Sequence, residues 1–117
     1  METKRKNKNF TPNNCPVTYC MNHIGGKWKP VILYLLRKEC NRYSMLQKAI
    51  PEISKQTLTN QLRELEEDGI IDRIIYPEIP PRVEYKISSL GKSLFPIIDQ
   101  MAEWGMRQMK KKSPPKK

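Results

Sequence analysis

Gln56, Thr59, Asn60 and Arg63 carry the clearest chemistry in this sequence. All four can donate hydrogen bonds, and the first three can also accept them. Their spacing of three, four and seven residues puts them on one face of a helix. Base edges and phosphate oxygens offer the complementary acceptors and donors. Lys55, at the start of the same stretch, suits a phosphate. Glu64, Glu66, Glu67 and Asp68 gather at its far end. A helix that enters a major groove N-terminus first keeps such acids away from the phosphates. Downstream, Arg73 and Arg82 flank a proline-rich segment and suit backbone or minor-groove contact. Each feature also has a plainer reading: an amphipathic surface helix, and a connector whose arginines are merely solvated.

The three cysteines, Cys15, Cys20 and Cys40, and the single histidine, His23, make no zinc pattern. An odd count without a signal peptide argues against a disulfide framework. Cys20 and Cys40 read as small apolar residues. Cys15 sits where a helix should begin. Exposed amides and the helix dipole favour a thiolate there, and the thiolate is the form that reacts with electrophiles and oxidants. An inert helix cap is the other reading of the same position. His23 is expected to pack or hydrogen-bond at a subunit interface. No paired carboxylate, activated nucleophile or phosphate loop is present, since Gly25-Gly26-Lys27 lacks the Walker spacing. The chain is therefore not expected to be an enzyme, and neither a metal nor a cofactor is expected.

The elements that position these residues follow from pattern. Ser54 is a good N-cap, Leu58, Leu62 and Leu65 form an apolar stripe at helical period, and Gly69 marks the stop. Ile70 to Tyr76 is rich in β-branched residues, and Val83, Tyr85 and Ile87 alternate with Glu84 and Lys86, so a hairpin is expected. Its tip, Pro77-Glu78-Ile79-Pro80-Pro81, cannot continue a ladder and should be stiff. Upstream, Pro16 suits the first turn of a helix reaching about Ile24, and Gly25-Gly26 breaks it. Lys27 to Lys38 reads as a second helix, with Trp28, Val31, Ile32, Leu35 and Leu36 on its buried side. Tyr43 to Ile50 reads as a short third helix with Met45, Leu46, Ala49 and Ile50 apolar. Helix, short turn, helix is a helix-turn-helix. Ser88 should cap a final helix over 88–109, kinked at Pro96.

These residues resemble the HxlR-type family of bacterial winged-helix transcriptional regulators. The resemblance spans roughly Cys15 to Gly105 and rests on Cys-Pro-Val, Gly-Gly-Lys-Trp, Leu-Thr-x-Gln-Leu, Tyr-Pro-Glu-x-Pro-Pro-Arg-Val-Glu-Tyr and Leu-Gly-x-Ser-Leu, in that order. It implies a homodimeric transcription factor of the helix-turn-helix class that binds double-stranded operator DNA. It also implies, for some members, sensing of electrophiles or oxidants through the cysteine at Cys15. On that reading a modified Cys15, or a Cys15–Cys15 disulfide between subunits, alters the spacing of the two reading helices.

The fold class expected is mainly α with a small β-hairpin: a winged helix-turn-helix over 14–109, between a flexible basic arm (1–13) and a flexible basic tail (110–117). N- and C-terminal helices should form the dimer interface through Val17, Tyr19, Leu94, Ile97, Ile98, Met101 and Trp104, because the last helix is apolar beyond what a small core needs. The net charge of +10 is less telling than it looks. Residues 1–9 hold four bases and one acid, and residues 107–117 hold six bases and no acid, which leaves +1 on the domain between them. Tails of this kind add salt-dependent affinity without sequence preference. The N-terminus lacks an apolar signal region and no run approaches the ~20 residues of a membrane span, so a cytoplasmic protein with no membrane partner is expected. Two other functions stay open: a winged helix that binds protein, and a regulator whose dimer helices enclose a small apolar effector.

Overall fold

The structure is a computed structural model and describes residues 14–112. The expected basic arm and the last five residues of the expected tail lie outside the described residues. Six helices and a two-stranded hairpin follow in the order α1 (Pro16–Ile24), α2 (Lys29–Arg37), α3 (Tyr43–Ala49), α4 (Lys55–Glu67), β1 (Ile71–Tyr76), β2 (Arg82–Ile87), α5 (Ser89–Lys92) and α6 (Phe95–Lys112).

Proline sets two of the starts. Pro16 and Pro30 lie in the first turns of α1 and α2, where no intrahelical amide bond is lost. Trp28 is only half-buried and precedes α2 instead of joining it. The buried sector of α2 comprises Ile32, Leu33 and Leu36, while Val31 is exposed. Ile32, Leu33 and Leu36 join the shared core, and Val31 lies at the edge where α2 meets α6. In α3, Leu46 is buried and Met45 exposed.

The turn from α3 to α4 is closed by apolar side chains. Ile50 and Ile53 are both buried, and the Ile53 amide donates to the Ile50 carbonyl at 3.1 Å. Ser54 then caps α4, its Oγ accepting from the Thr57 amide at 3.0 Å. Such a cap stabilises a helix by about 1 kcal/mol. Leu58, Leu62 and Leu65 are buried as a stripe, and each fully buried leucine contributes roughly 1.5–3 kcal/mol. Gly69 follows the helix at φ +76°, a left-handed conformation that suits glycine.

The strands pair antiparallel, with Ile71 opposite Ile87, Arg73 opposite Tyr85 and Tyr76 opposite Arg82. The α2–α3 loop leans on this hairpin, since the Tyr85 amide donates to the Asn41 carbonyl at 2.9 Å. Ser88 joins hairpin to helix: its Oγ accepts from the Gly91 amide at 3.0 Å and donates to the Gly69 carbonyl at 2.6 Å, while its amide donates to the Ile70 carbonyl at 3.0 Å. Gly91 permits this approach, because a Cβ there would stand 2.2 Å from the Ile70 oxygen.

The expected single helix over 88–109 is instead two. The chain turns at Ser93 and Leu94, and Pro96 occupies the first turn of α6 rather than kinking a continuous helix. Proline has no amide to offer the Lys92 carbonyl, and the start of a new helix is where that lack costs least. α6 also runs on to Lys112, so Lys110, Lys111 and Lys112 are carried on a helix rather than in a loose tail. Arg37 of α2 pairs with Asp99 of α6 and lies over the Phe95 ring at 4.3 Å, fixing the two helices together. Ile98, expected at a subunit interface, is 3% exposed and belongs to the core of its own protomer with Ile24, Ile32, Leu46 and Leu62. It faces inward because α6 must cover α2 before it can cover anything else.

Candidate nucleic-acid interface

With Leu58, Leu62 and Leu65 anchored, the rest of α4 is turned outward. Lys55, Gln56 and Arg63 are exposed, and Thr59 and Asn60 are half-buried on the same side. Gln56, Thr59, Asn60 and Arg63 thus share one face, as their spacing requires. Tyr43 sharpens this face and was not singled out by its sequence. Its hydroxyl donates to the Lys55 carbonyl at 2.9 Å and lies 3.2 Å from Thr59 Oγ1. The single tyrosine proton is directed at Lys55, so Thr59 is the donor between the two hydroxyls. What Thr59 still offers a ligand is its methyl group and an acceptor lone pair. Tyr43 also fixes the first turn of α4 against α3.

The hairpin lies alongside this face. Arg63, Glu66 and Thr59 of α4 line one cleft with Arg73 and Tyr85 of the hairpin. Arg73 is therefore placed beside α4 at mid-strand, not at the proline-rich tip. Arg82 is at the tip but is engaged there. Its Nη2 donates to Glu78 Oε2 at 2.8 Å, a second amino group pairs with Glu84, and its guanidinium lies 3.9 Å from the Tyr76 ring centre. The hydrogen bond from Arg82 holds the Glu78 carboxyl below the usual carboxylate range, and Glu78 and Glu84 in turn raise the Arg82 pKa.

Cys15 occupies the N-cap of α1 in extended conformation and is half-exposed. Its sulfur completes no full capping bond. The Thr18 amide, then the Thr18 hydroxyl and the Val17 amide, nevertheless bring its pKa below that of an ordinary thiol. Burial moves Cys40 the other way. His23 turns back on its own helix, its Nδ1 donating to the Tyr19 carbonyl at 2.9 Å.

Val17 and Tyr19 of α1 are exposed, as are Ile97, Met101 and Trp104 of α6. Leu94 is half-buried in the turn before α6 and packs partly on the core. Met21, Met106 and Met109 add exposed apolar surface that the sequence pattern did not single out. Between α2 and α6 lies an apolar groove of about 340 Å³, lined by Val31, Tyr34, Met101 and Met106 among others. Among the described residues no group of three His, Cys, Asp or Glu side chains could hold a metal ion. Nor is any described helix long and apolar enough to cross a membrane.

Comparison with known proteins agrees with this geometry. The sequence profile described as HxlR-like helix-turn-helix matches residues 23–113. An uncharacterized HTH-type transcriptional regulator of Methanothermobacter thermautotrophicus is 48% identical over 91 residues, covering 78% of this chain and 70% of the relative. The redox regulator HypR in its oxidized form superposes with a TM-score of 0.77 at 42% identity, over 80% of this chain and 96% of HypR. The HTH-type regulator ytcD gives the same TM-score of 0.77 at 45% identity, over 82% of this chain and 98% of that one. The chain belongs to the HxlR-like helix-turn-helix family and is a DNA-binding transcriptional regulator with a winged-helix fold.

Proposed function

We propose that the protein acts in the cytoplasm as a homodimer, each protomer laying α4 in the major groove of a half-site. The solvent-facing row of Gln56, Thr59, Asn60 and Arg63, held by the buried leucines beneath it, carries this reading. Lys55 and Arg73 contact phosphates on either side. Arg82 serves the wing by holding its shape. The exposed apolar residues of α1 and α6 are covered by the partner protomer, which sets the two α4 helices about 34–36 Å apart and matches a pseudo-palindromic operator. Duplex DNA recovered with the full-length protein from its own genome, starting with its own upstream region, tests this. Enrichment of one inverted repeat is expected. Uniform recovery of all fragments contradicts specific reading and favours charge-driven binding or a protein partner.

A second feature supports control by oxidants. Cys15 combines partial exposure with a lowered pKa at the start of a helix whose apolar side is unpartnered, and HypR is a redox regulator of similar sequence and fold. Two Cys15 thiols across the dimer give up two protons and two electrons to an oxidant such as diamide, forming one intersubunit disulfide. α1 then shifts, and with it the distance between the two reading helices. Loss of operator binding on diamide treatment, absent in Cys15→Ser, is expected.

A further inference from the structure

Ile79 stands at the tip of the wing with 101% of its surface exposed. No other large apolar side chain among the described residues is so open; Met109 follows at 70%. Water offers no reason to place an isoleucine there, and the tip around it is built to keep it there. Pro77, Pro80 and Pro81 fix the backbone on both sides and carry no amides. The Glu78 amide is occupied by the Tyr76 carbonyl at 2.8 Å. The segment is thus poor in donors and ill suited to pairing with another strand.

Charge at the tip is nearly balanced as well. Glu78 and Glu84 share the Arg82 guanidinium, which lies over the Tyr76 ring, and Arg42 borders the same tip with a second positive charge. A stiff, nearly neutral, donor-poor projection ending in one aliphatic side chain cannot read base edges by hydrogen bonding. It can enter a groove and press between bases. Position favours this too. The hairpin borders the DNA-facing side of α4 through the cleft shared by Arg63 and Arg73, and the tip borders Arg42 and Tyr43 at the start of the helix-turn-helix.

We propose that Ile79 is an apolar wedge that enters the minor groove beside each half-site and partly unstacks one base step. The proposal rests on the DNA-binding reading above. Wedges of this kind widen and kink the duplex, and pyrimidine–purine steps such as TA or CA yield most readily. The wing then contributes sequence preference through deformability, without a base-specific hydrogen bond.

The test uses the full chain and a recovered operator duplex carrying 2-aminopurine at successive flanking positions. Binding of the wild type should brighten the probe at one step beside each half-site. Ile79→Ser, a change at a fully exposed side chain, should fold normally, lose that brightening and bind about tenfold more weakly. Replacing the flanking TA or CA step with a stiff A-tract should weaken the wild type and leave Ile79→Ser unaffected. Tight wild-type binding with no brightening at any flanking step overturns the wedge and spares the DNA-binding reading. Failure of the wild type to bind any duplex overturns both. Unchanged operator affinity in Ile79→Ser together with lost contact to another protein assigns the tip to that protein and also overturns the wedge.

Discussion

Lys29 Nζ donates to Glu64 Oε1 at 2.6 Å, with both side chains nearly out of water, and so ties the first turn of α2 to α4. Two buried charges are tolerable only as a pair. Lys29→Met should therefore destabilise the fold, because Glu64 would lose this buried cation. The double change Lys29→Met with Glu64→Leu should restore most of that loss. Urea midpoints of the three proteins check this. Equal destabilisation in the single and double variants would show that the pair, rather than the stranded charge, sets the cost.

The pair also shows what could not be read from sequence. Glu64 belongs to an acidic run that reads as a solvated helix end, and Lys29 is one of many lysines. Only the packing of α2 across α4 brings together residues 35 positions apart. The role of Tyr43 is hidden for the same reason: its partners, Lys55 and Thr59, are on another helix. Features set by local rules were legible. Ser54 caps α4, Leu58, Leu62 and Leu65 are buried, and Gly69 ends the helix. Pro96 was legible as a disturbance but not as a helix start, since a kink and a break differ only in how the surrounding chain packs. Ile98 could not be told from Ile97 by hydrophobicity. One faces α2 and the other faces outward.

Cys15 and Cys40 should separate by pH. The amides and hydroxyl around Cys15 lower its pKa, so its thiolate fraction rises at lower pH than that of an ordinary thiol. Burial raises Cys40, so its thiolate appears only at higher pH. Alkylation by iodoacetamide, followed by peptide mass across a pH series, should show Cys15 labelled first as pH rises. Cys40 leading Cys15 would remove the physical basis for a sensor at Cys15.

Ile98 and Trp104 should fail in different ways. Ile98→Ala empties a core site and should cost about 2–5 kcal/mol of unfolding free energy. Trp104 is 61% exposed, so Trp104→Asp should leave the protomer folded but shift the protein from dimer to monomer. Sedimentation at micromolar concentration, read alongside circular dichroism, distinguishes the two. A wild type that already sediments as a monomer would remove the two-fold operator model.

Asn60 tests the central claim, that the outward face of α4 reads sequence. The decisive measurement is the affinity of wild type and Asn60→Ala for operator and random duplexes, each at two salt concentrations. The account predicts that Asn60→Ala loses about 1–3 kcal/mol of discrimination while the salt dependence is unchanged. Equal weakening on both duplexes, or an unchanged ratio between them, would contradict it.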